Sequence, residues 1–133
     1  MKRREPVFLT LEEVLAIHEN RIRKYGGTSG LRDLGLLQSA LGSVEATFGG
    51  QFLNETLLEM AAAYLYSICR NHPFLDGNKR TALACALAFL RLNGIKVIAD
   101  HDELYDLVIG VAEGRVSKAA MAVFFEQHMG RAK

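Results

Sequence analysis

The sequence predicts an all-α fold: a compact bundle of six or seven helices, with a short polar loop between two central buried ones. Three observations predict it. Apolar residues recur at three- and four-residue spacing through most of the chain, the period of a helical face. Only two prolines occur, Pro6 and Pro73, so helices can run almost uninterrupted. No segment shows sustained period-two alternation, apart from one short candidate piece at Ile95 to Ile98.

The elements follow in order. Thr10 with Glu13 has capping-box spacing, which opens a helix. Leu11, Val14, Leu15, His18, Ile22 and Tyr25 make its apolar face, and Gly26-Gly27 ends it. A histidine on such a face reads as a packed core residue. A turn-rich loop follows from Gly26 to Gly35, holding Thr28, Ser29, Arg32 and Asp33, and then a short helix from Leu34 to Val44. Phe48, Gly49 and Gly50 break the pattern. Asn54 is placed to cap a long helix through Leu57, Leu58, Met60, Ala61, Tyr64, Leu65 and Ile68. Its many alanines suit a central helix surrounded by others. A second apolar helix runs from Asn78 to Asn93, with Gly94 as its stop. Asp100 and Glu103 start the next, whose buried stripe is Leu104, Leu107, Val108 and Val111 and whose end is Gly114. Ser117 starts the last, with Met121, Phe124 and Phe125.

Composition narrows the classes of function. The 133 residues suit a single domain over 1–133 with a self-sufficient core. With 16 Lys+Arg against 15 Asp+Glu the formal net charge is +1, which argues against bulk phosphate neutralisation and so against a direct nucleic-acid partner. The longest apolar run, Ala82 to Leu90, is too short to span a bilayer. Met1 to Thr10 has no apolar stretch fit for a secretory signal. Cys69 and Cys85 match neither a zinc knuckle nor a redox pair and read as buried reduced thiols. A cytoplasmic location, with no membrane partner, is expected.

The chemistry concentrates in Arg70-Asn71-His72-Pro73-Phe74-Leu75-Asp76-Gly77-Asn78-Lys79-Arg80, a polar stretch whose flanks should be the driest part of the molecule. Pro73 stops the incoming helix, Gly77 allows a tight turn, and the outgoing helix starts near Asn78. Free N–H groups and the helix dipole at that start favour an anion, and Lys79 and Arg80 in the first turn reinforce the preference. A phosphate satisfies it. Asp76 is a hard oxygen ligand suited to Mg²⁺, His72 a candidate general base, Arg80 a bidentate phosphate clamp and Lys79 a point charge. Phe74 reads as an anchor. Each residue also has a plain structural reading: Asp76-Gly77 as a turn, Asn78 as an N-cap, Lys79-Arg80 as a solvated pair, and His72 as a helix C-terminal cap.

HPFLDGNKR, His72 to Arg80, resembles the signature loop of the Fic/Doc family, HxFx(D/E)(G/A)N(G/K)R. IHENRIRKYGG at Ile17 to Gly27, LRDLGLLQSAL at Leu31 to Leu41 and TALACALAFLRLNG at Thr81 to Gly94 resemble further blocks of its Doc-type members, so the likeness covers nearly the whole chain. The resemblance implies the family's helical fold, an ATP substrate and Mg²⁺. Typical Fic members carry glycine between the motif's Asn and Arg and transfer AMP to a target hydroxyl. Lys79 stands there instead, as in the Doc-type toxins, which phosphorylate a threonine of elongation factor Tu and stop translation. By this resemblance His72 is the base on the target hydroxyl and Asp76 the Mg²⁺ ligand. Gly77, Asn78, Lys79 and Arg80 hold the nucleotide phosphates, and Arg70 matches a position near them. Pro73 and Gly77 are Fic-like, which keeps adenylyl transfer as an alternative. A catalytically inactive module that only binds an antitoxin is the other.

Regulation is expected from a second chain. Self-inhibited Fic proteins carry (S/T)xxxE(G/N). The two matching pairs here, Glu113-Gly114 and Glu19-Asn20, have Ile109 and Leu15 four residues before the glutamate, and neither fits. The resemblance implies a cognate, Phd-like antitoxin that binds through a disordered segment folding on contact. Phe48 to Phe52 falls where Fic proteins have a flap that aligns target peptide; a plain loop between helices is the other reading.

Overall fold

The N-terminal segment threads into the molecule before the first helix begins. The computed structural model describes residues 5–131; the first four residues of the Met1 to Thr10 stretch lie outside that range. Leu9 donates its N–H to the Tyr64 hydroxyl at 3.0 Å, and Asn93 grips Val7 through both its amide oxygen and its amide nitrogen. Burial of the Tyr64 phenol pushes its pKa up. Phe8 then stacks on Phe89 and meets Phe52 edge-on.

Six helices follow. Helix α1 (Leu11–Tyr25) starts at the Thr10–Glu13 capping box, with both reciprocal hydrogen bonds formed, and ends at Gly26, whose φ of +86° places it in the region that favours glycine. Helix α2 (Leu34–Glu45) is capped by Asp33, helix α3 (Leu57–Asn71) by Thr56 and helix α4 (Asn78–Leu92) by Gly77. Helix α5 (His101–Ala112) is capped by Asp100 with Glu103, and α6 (Lys118–Gln127) by Ser117. The centre is the α3–α4 pair. Ala61, Ala62 and Ala63 of α3 and Ala82 and Ala86 of α4 are fully buried, and such small side chains let two helices approach closely while Tyr64, Leu65, Ile68, Phe89 and Leu90 fill the flanks. Helices α1, α2, α5 and α6 pack around this pair, and the six-helix count agrees with the expected bundle.

Several details depart from the expectation. Two small antiparallel pairs accompany the helices: β1 (Thr47–Phe48) with β2 (Gln51–Phe52), and β3 (Ile95–Val97) with β4 (Met129–Arg131). The first is a hairpin turning through Gly49 and Gly50, both at positive φ, the requirement of a tight two-residue turn. Residues 48–52 are therefore a hairpin and not an irregular loop, with Phe48 82% exposed. The alternating piece at Ile95 is a strand because β4 supplies its partner. Asn54 does not cap α3. Thr56 does, in a capping box with Glu59, while the Asn54 amide donates to the Ser43 carbonyl. Tyr25 is 51% exposed rather than packed with the rest of its helix face, and Leu104 is only half-buried. Both cysteines are free. Burial pushes the Cys85 thiol up to about 12, and Cys69, only half-buried, up to about 11. None of the described helices is long and apolar enough to cross a membrane.

The end of α6 is clasped to the start of α5 by one ring. His128 bonds the Phe124 carbonyl through Nδ1 and the Glu103 carboxylate through Nε2, both at 2.8 Å. Both partners are acceptors, so both nitrogens must carry hydrogen, which only the imidazolium does. The Phe124 carbonyl and then Glu103 raise the His128 pKa, and the Asp100 N–H and then His128 lower that of Glu103. A raised histidine adds stability below its ordinary value of 6.5 and loses it as pH rises through the higher folded value. The lowered carboxylate adds stability above its ordinary 4.5 and loses it as pH falls through the lower folded value. The clasp is therefore strongest at mildly acidic pH. We expect the gap in thermal midpoint between the parent chain and His128→Ala to be widest there and to narrow above neutrality. A gap independent of pH would show that the ring acts by packing on Phe124 alone.

Candidate active site

The loop between α3 and α4 is shaped by what holds its carbonyls. Helix α3 ends at His72, whose φ and ψ of 52° and 52° make it the one described non-glycine residue at positive φ. That conformation costs a residue with a Cβ about 1 kcal/mol or more, though histidine tolerates it better than most. Its N–H closes the helix onto Ile68, as the C-terminal-cap reading expects. The side chain of Arg32, forty residues earlier, then crosses the helix end. Its Nε donates to the His72 carbonyl at 2.7 Å and its Nη2 to the Asn71 carbonyl at 3.0 Å. The backbone N–H groups of Arg32 and Asp33 both donate to the Pro73 carbonyl.

Phe74 anchors the loop. It is 1% exposed and lies face to face with the ring of His18, centroids 3.8 Å apart. His18 is buried, as its helix face predicts, yet it is more than packing: its Nε2–H donates to the Asp76 carbonyl at 2.8 Å. Asn78 holds the same anchor from the other side. Its amide oxygen accepts from the Phe74 N–H and its amide nitrogen donates to the Phe74 carbonyl. The N-cap of α4 is accordingly Gly77, not Asn78. Asn78 is 4% exposed, and what it can offer a ligand is its backbone N–H.

The carboxylate of Asp76 faces outward with its orientation fixed. Oδ2 accepts from the Thr28 N–H at 3.1 Å and Oδ1 from the Gly77 N–H at 2.9 Å. These two N–H groups, joined by the charges of Arg80 and His18, hold its carboxyl below the usual carboxylate range. Gly27 permits the approach: a Cβ there, at φ +120°, would fall 2.7 Å from Oδ2. Gly77, at φ +73°, has Ile22 Cδ1 3.1 Å from where a Cβ would be, so backbone and packing both call for glycine.

At the start of α4 the Gly77 cap makes no side-chain hydrogen bond, leaving first-turn N–H groups free. Lys79 and Arg80 are exposed beside them, and neither has an ion-pair partner among the described residues. The Arg80 guanidinium sits 5.1 Å from the Tyr25 ring centroid. Arg70 sits instead over Tyr66, a ring it shares with Lys118. The structure thus gathers His72, Asp76, Gly77, Asn78, Lys79 and Arg80 on one loop and helix start, with Arg70 at the end of α3, directed onto a different tyrosine from Arg80. Sequence reasoning missed Arg32, the Thr28 N–H, and the polar role of His18. The turn-rich Gly26 to Gly35 stretch, the apolar face holding His18, and the Ile17 to Gly27 and Leu31 to Leu41 blocks of family likeness marked those segments, but not these contacts.

A single exposed, ionised carboxylate can hold Mg²⁺ together with phosphate oxygens, and Asp76 fits that part. No cluster of three or more His, Cys, Asp or Glu side chains suited to holding a metal by themselves occurs among the described residues. The arrangement as a whole offers a base, a carboxylate, and a cationic helix start for a polyphosphate.

The sequence profile described as the Fic/DOC family matches residues 8–90. The chain is 40% identical over 122 residues to the protein named "Protein kinase doc" of Escherichia phage P1, covering 92% of this chain and 95% of that protein. It is also 46% identical over 78 residues to "Toxin Doc" of Mycolicibacterium smegmatis, covering 59% of this chain and 60% of that protein.

Proposed function

The chain belongs to the Fic/DOC family, and from that premise we propose that it is a Doc-type toxin: an ATP-dependent protein kinase that phosphorylates a threonine of a translation protein, elongation factor Tu, and so arrests translation. One observation carries the reading. The α4 helix start presents Lys79 and Arg80 without a direct ion-pair partner among the described residues, immediately after the ionised Asp76, which is an arrangement for a polyphosphate. The likeness to a protein named as a kinase over most of both chains supports it.

In this reading the His72 imidazole, on the exposed end of α3, accepts the proton of the threonine hydroxyl. The hydroxyl oxygen forms a bond to the γ-phosphorus as the bond to the bridging β,γ-oxygen breaks, and ADP leaves. His72 afterwards returns the proton to solvent. Lys79, Arg80 and the first-turn N–H groups of Asn78 and its neighbours hold the phosphate oxygens, Gly77 giving them room while its own N–H stays on Asp76, so that most of the rate comes from positioning and charge neutralisation. Asp76 would hold Mg²⁺, which when bound neutralises phosphate charge. Arg70 lies near enough in sequence to join the phosphates once released from Tyr66. A cognate Phd-like antitoxin, folding on contact, would restrain the enzyme.

Adenylyl transfer is the competing chemistry, and each of its two sequence supports also has a structural role. Gly77 answers to a positive φ and to Ile22, and Pro73 to the end of α3. The purified protein should move label to elongation factor Tu from γ-labelled ATP. Label moving only from the α-phosphate would overturn the kinase reading. Lys79→Gly should redirect part of the activity, and intact-mass analysis of the target would then find an AMP-sized increment in place of a phosphate.

A further inference from the structure

We infer that Arg32 is a positioning residue for His72: its guanidinium fork fixes the backbone from which the base projects. The inference rests on the reading of His72 as general base. Arg32 touches no candidate phosphate-binding group. It reaches the His72 carbonyl at 2.7 Å and the Asn71 carbonyl at 3.0 Å with two nitrogens of one rigid plane. Those carbonyls belong to the end of α3, where helix geometry leaves them without internal partners. Between them lies the left-handed turn at φ 52°, which a residue with a Cβ holds only when its surroundings over-determine it. Arg32 supplies that over-determination and the rest of its dipeptide adds to it, because the N–H groups of Arg32 and Asp33 converge on the Pro73 carbonyl. The same Asp33 caps α2, and Asn71 donates from α3 to the Leu36 carbonyl. The end of α3 is thereby fastened to the start of α2, and His72 stands on the fastening. A lysine has the charge of Arg32 but a single ammonium, which cannot span both carbonyls in this planar geometry.

The effect should separate from folding, since Arg32 is exposed and contributes nothing to the core. For Arg32→Ala we expect kcat to fall by about 10- to 100-fold, the scale of a misplaced catalytic group, with KM for ATP changed less than about two-fold. Arg32→Lys should recover only part of the loss and serves if the alanine variant folds poorly. In a His72→Ala background, Arg32→Ala should cost no further activity, because its effect passes through the base. The Cε1–H NMR signal of His72, one of four histidines, should be single in the parent chain and broadened or split in both Arg32 variants. Unchanged kcat in Arg32→Ala, or an undiminished loss in the His72→Ala background, would overturn the inference. If the parent chain transfers no phosphoryl group, the reading of the site fails, and the His72 signal then decides the role of Arg32. A signal indifferent to both substitutions rejects it, and broadening upholds it.

Discussion

Replacing His72 by alanine is expected to lower phosphoryl transfer by about 10²- to 10⁴-fold, the usual contribution of a positioned general base, and to abolish growth arrest when the variant is expressed at the parent level. The fold should survive, because the imidazole is exposed and makes no hydrogen bond to the rest of the described chain. The link at His72 is through its backbone carbonyl, which any residue supplies. His72→Gly is the sharper partner experiment. Glycine takes a φ of +52° without strain, so this variant should be at least as well folded as His72→Ala and equally inactive. Growth arrest by either variant, at equal expression, would remove the imidazole from the mechanism.

The largest effect on stability is expected at Asn78. Its amide satisfies both the N–H and the carbonyl of Phe74, in a region where Phe74 is 1% exposed and water does not replace lost partners. Each buried polar group left unpaired costs about 1–3 kcal/mol, so Asn78→Ala should destabilise the chain by roughly 2–5 kcal/mol. Denaturant unfolding should show a lower midpoint with an unchanged slope. Asn78→Asp restores the acceptor but sets a carboxylate oxygen against the Phe74 carbonyl, and it should recover less than half of the loss. A change below about 0.5 kcal/mol for alanine, the range of ordinary surface substitutions, would mean that the loop does not depend on this clamp.

How much of this could be read from the chain alone follows from the range of each interaction. Local signals carried through: Thr10 with Glu13 and Asp100 with Glu103 are capping boxes in the structure as in the sequence. Asn54 and Thr56 are both good N-cap residues, and the choice between them turned on Glu59, three residues after Thr56. The β1–β2 hairpin was obscure because two-residue strands are too short to show a period. Strand β3 depends on β4, more than thirty residues on. For the site, the identities of His72, Asp76, Lys79 and Arg80 stood out in a short polar run. Their supports did not, since Arg32, the Thr28 N–H and His18 meet the loop across 40, 48 and 58 residues. A histidine on an apolar face looks the same from sequence whether its Nε2–H finds a carbonyl or only a neighbour's ring. Tyr25 shows the converse error, an aromatic at an apolar position that lies under cations at the surface.

That division between loop and supports bears on how the molecule comes apart. Apart from the Asn78 clamp, the main struts beneath the loop, His18, Thr28 and Arg32, arise before residue 34, from α1 and the turn after it, while the reacting groups arise after residue 69. The supports converge by closing long loops, at an entropic cost, and two of the three, Thr28 and Arg32, lie in the exposed turn between α1 and α2. Proteins open in cooperative units, the least buried first. An opening that lifts the end of α1 would free Asp76 and loosen Phe74 while the two central helices stay paired. Heat or mild urea should therefore silence the proposed phosphoryl transfer before the helices melt, so residual activity is the more sensitive gauge of damage.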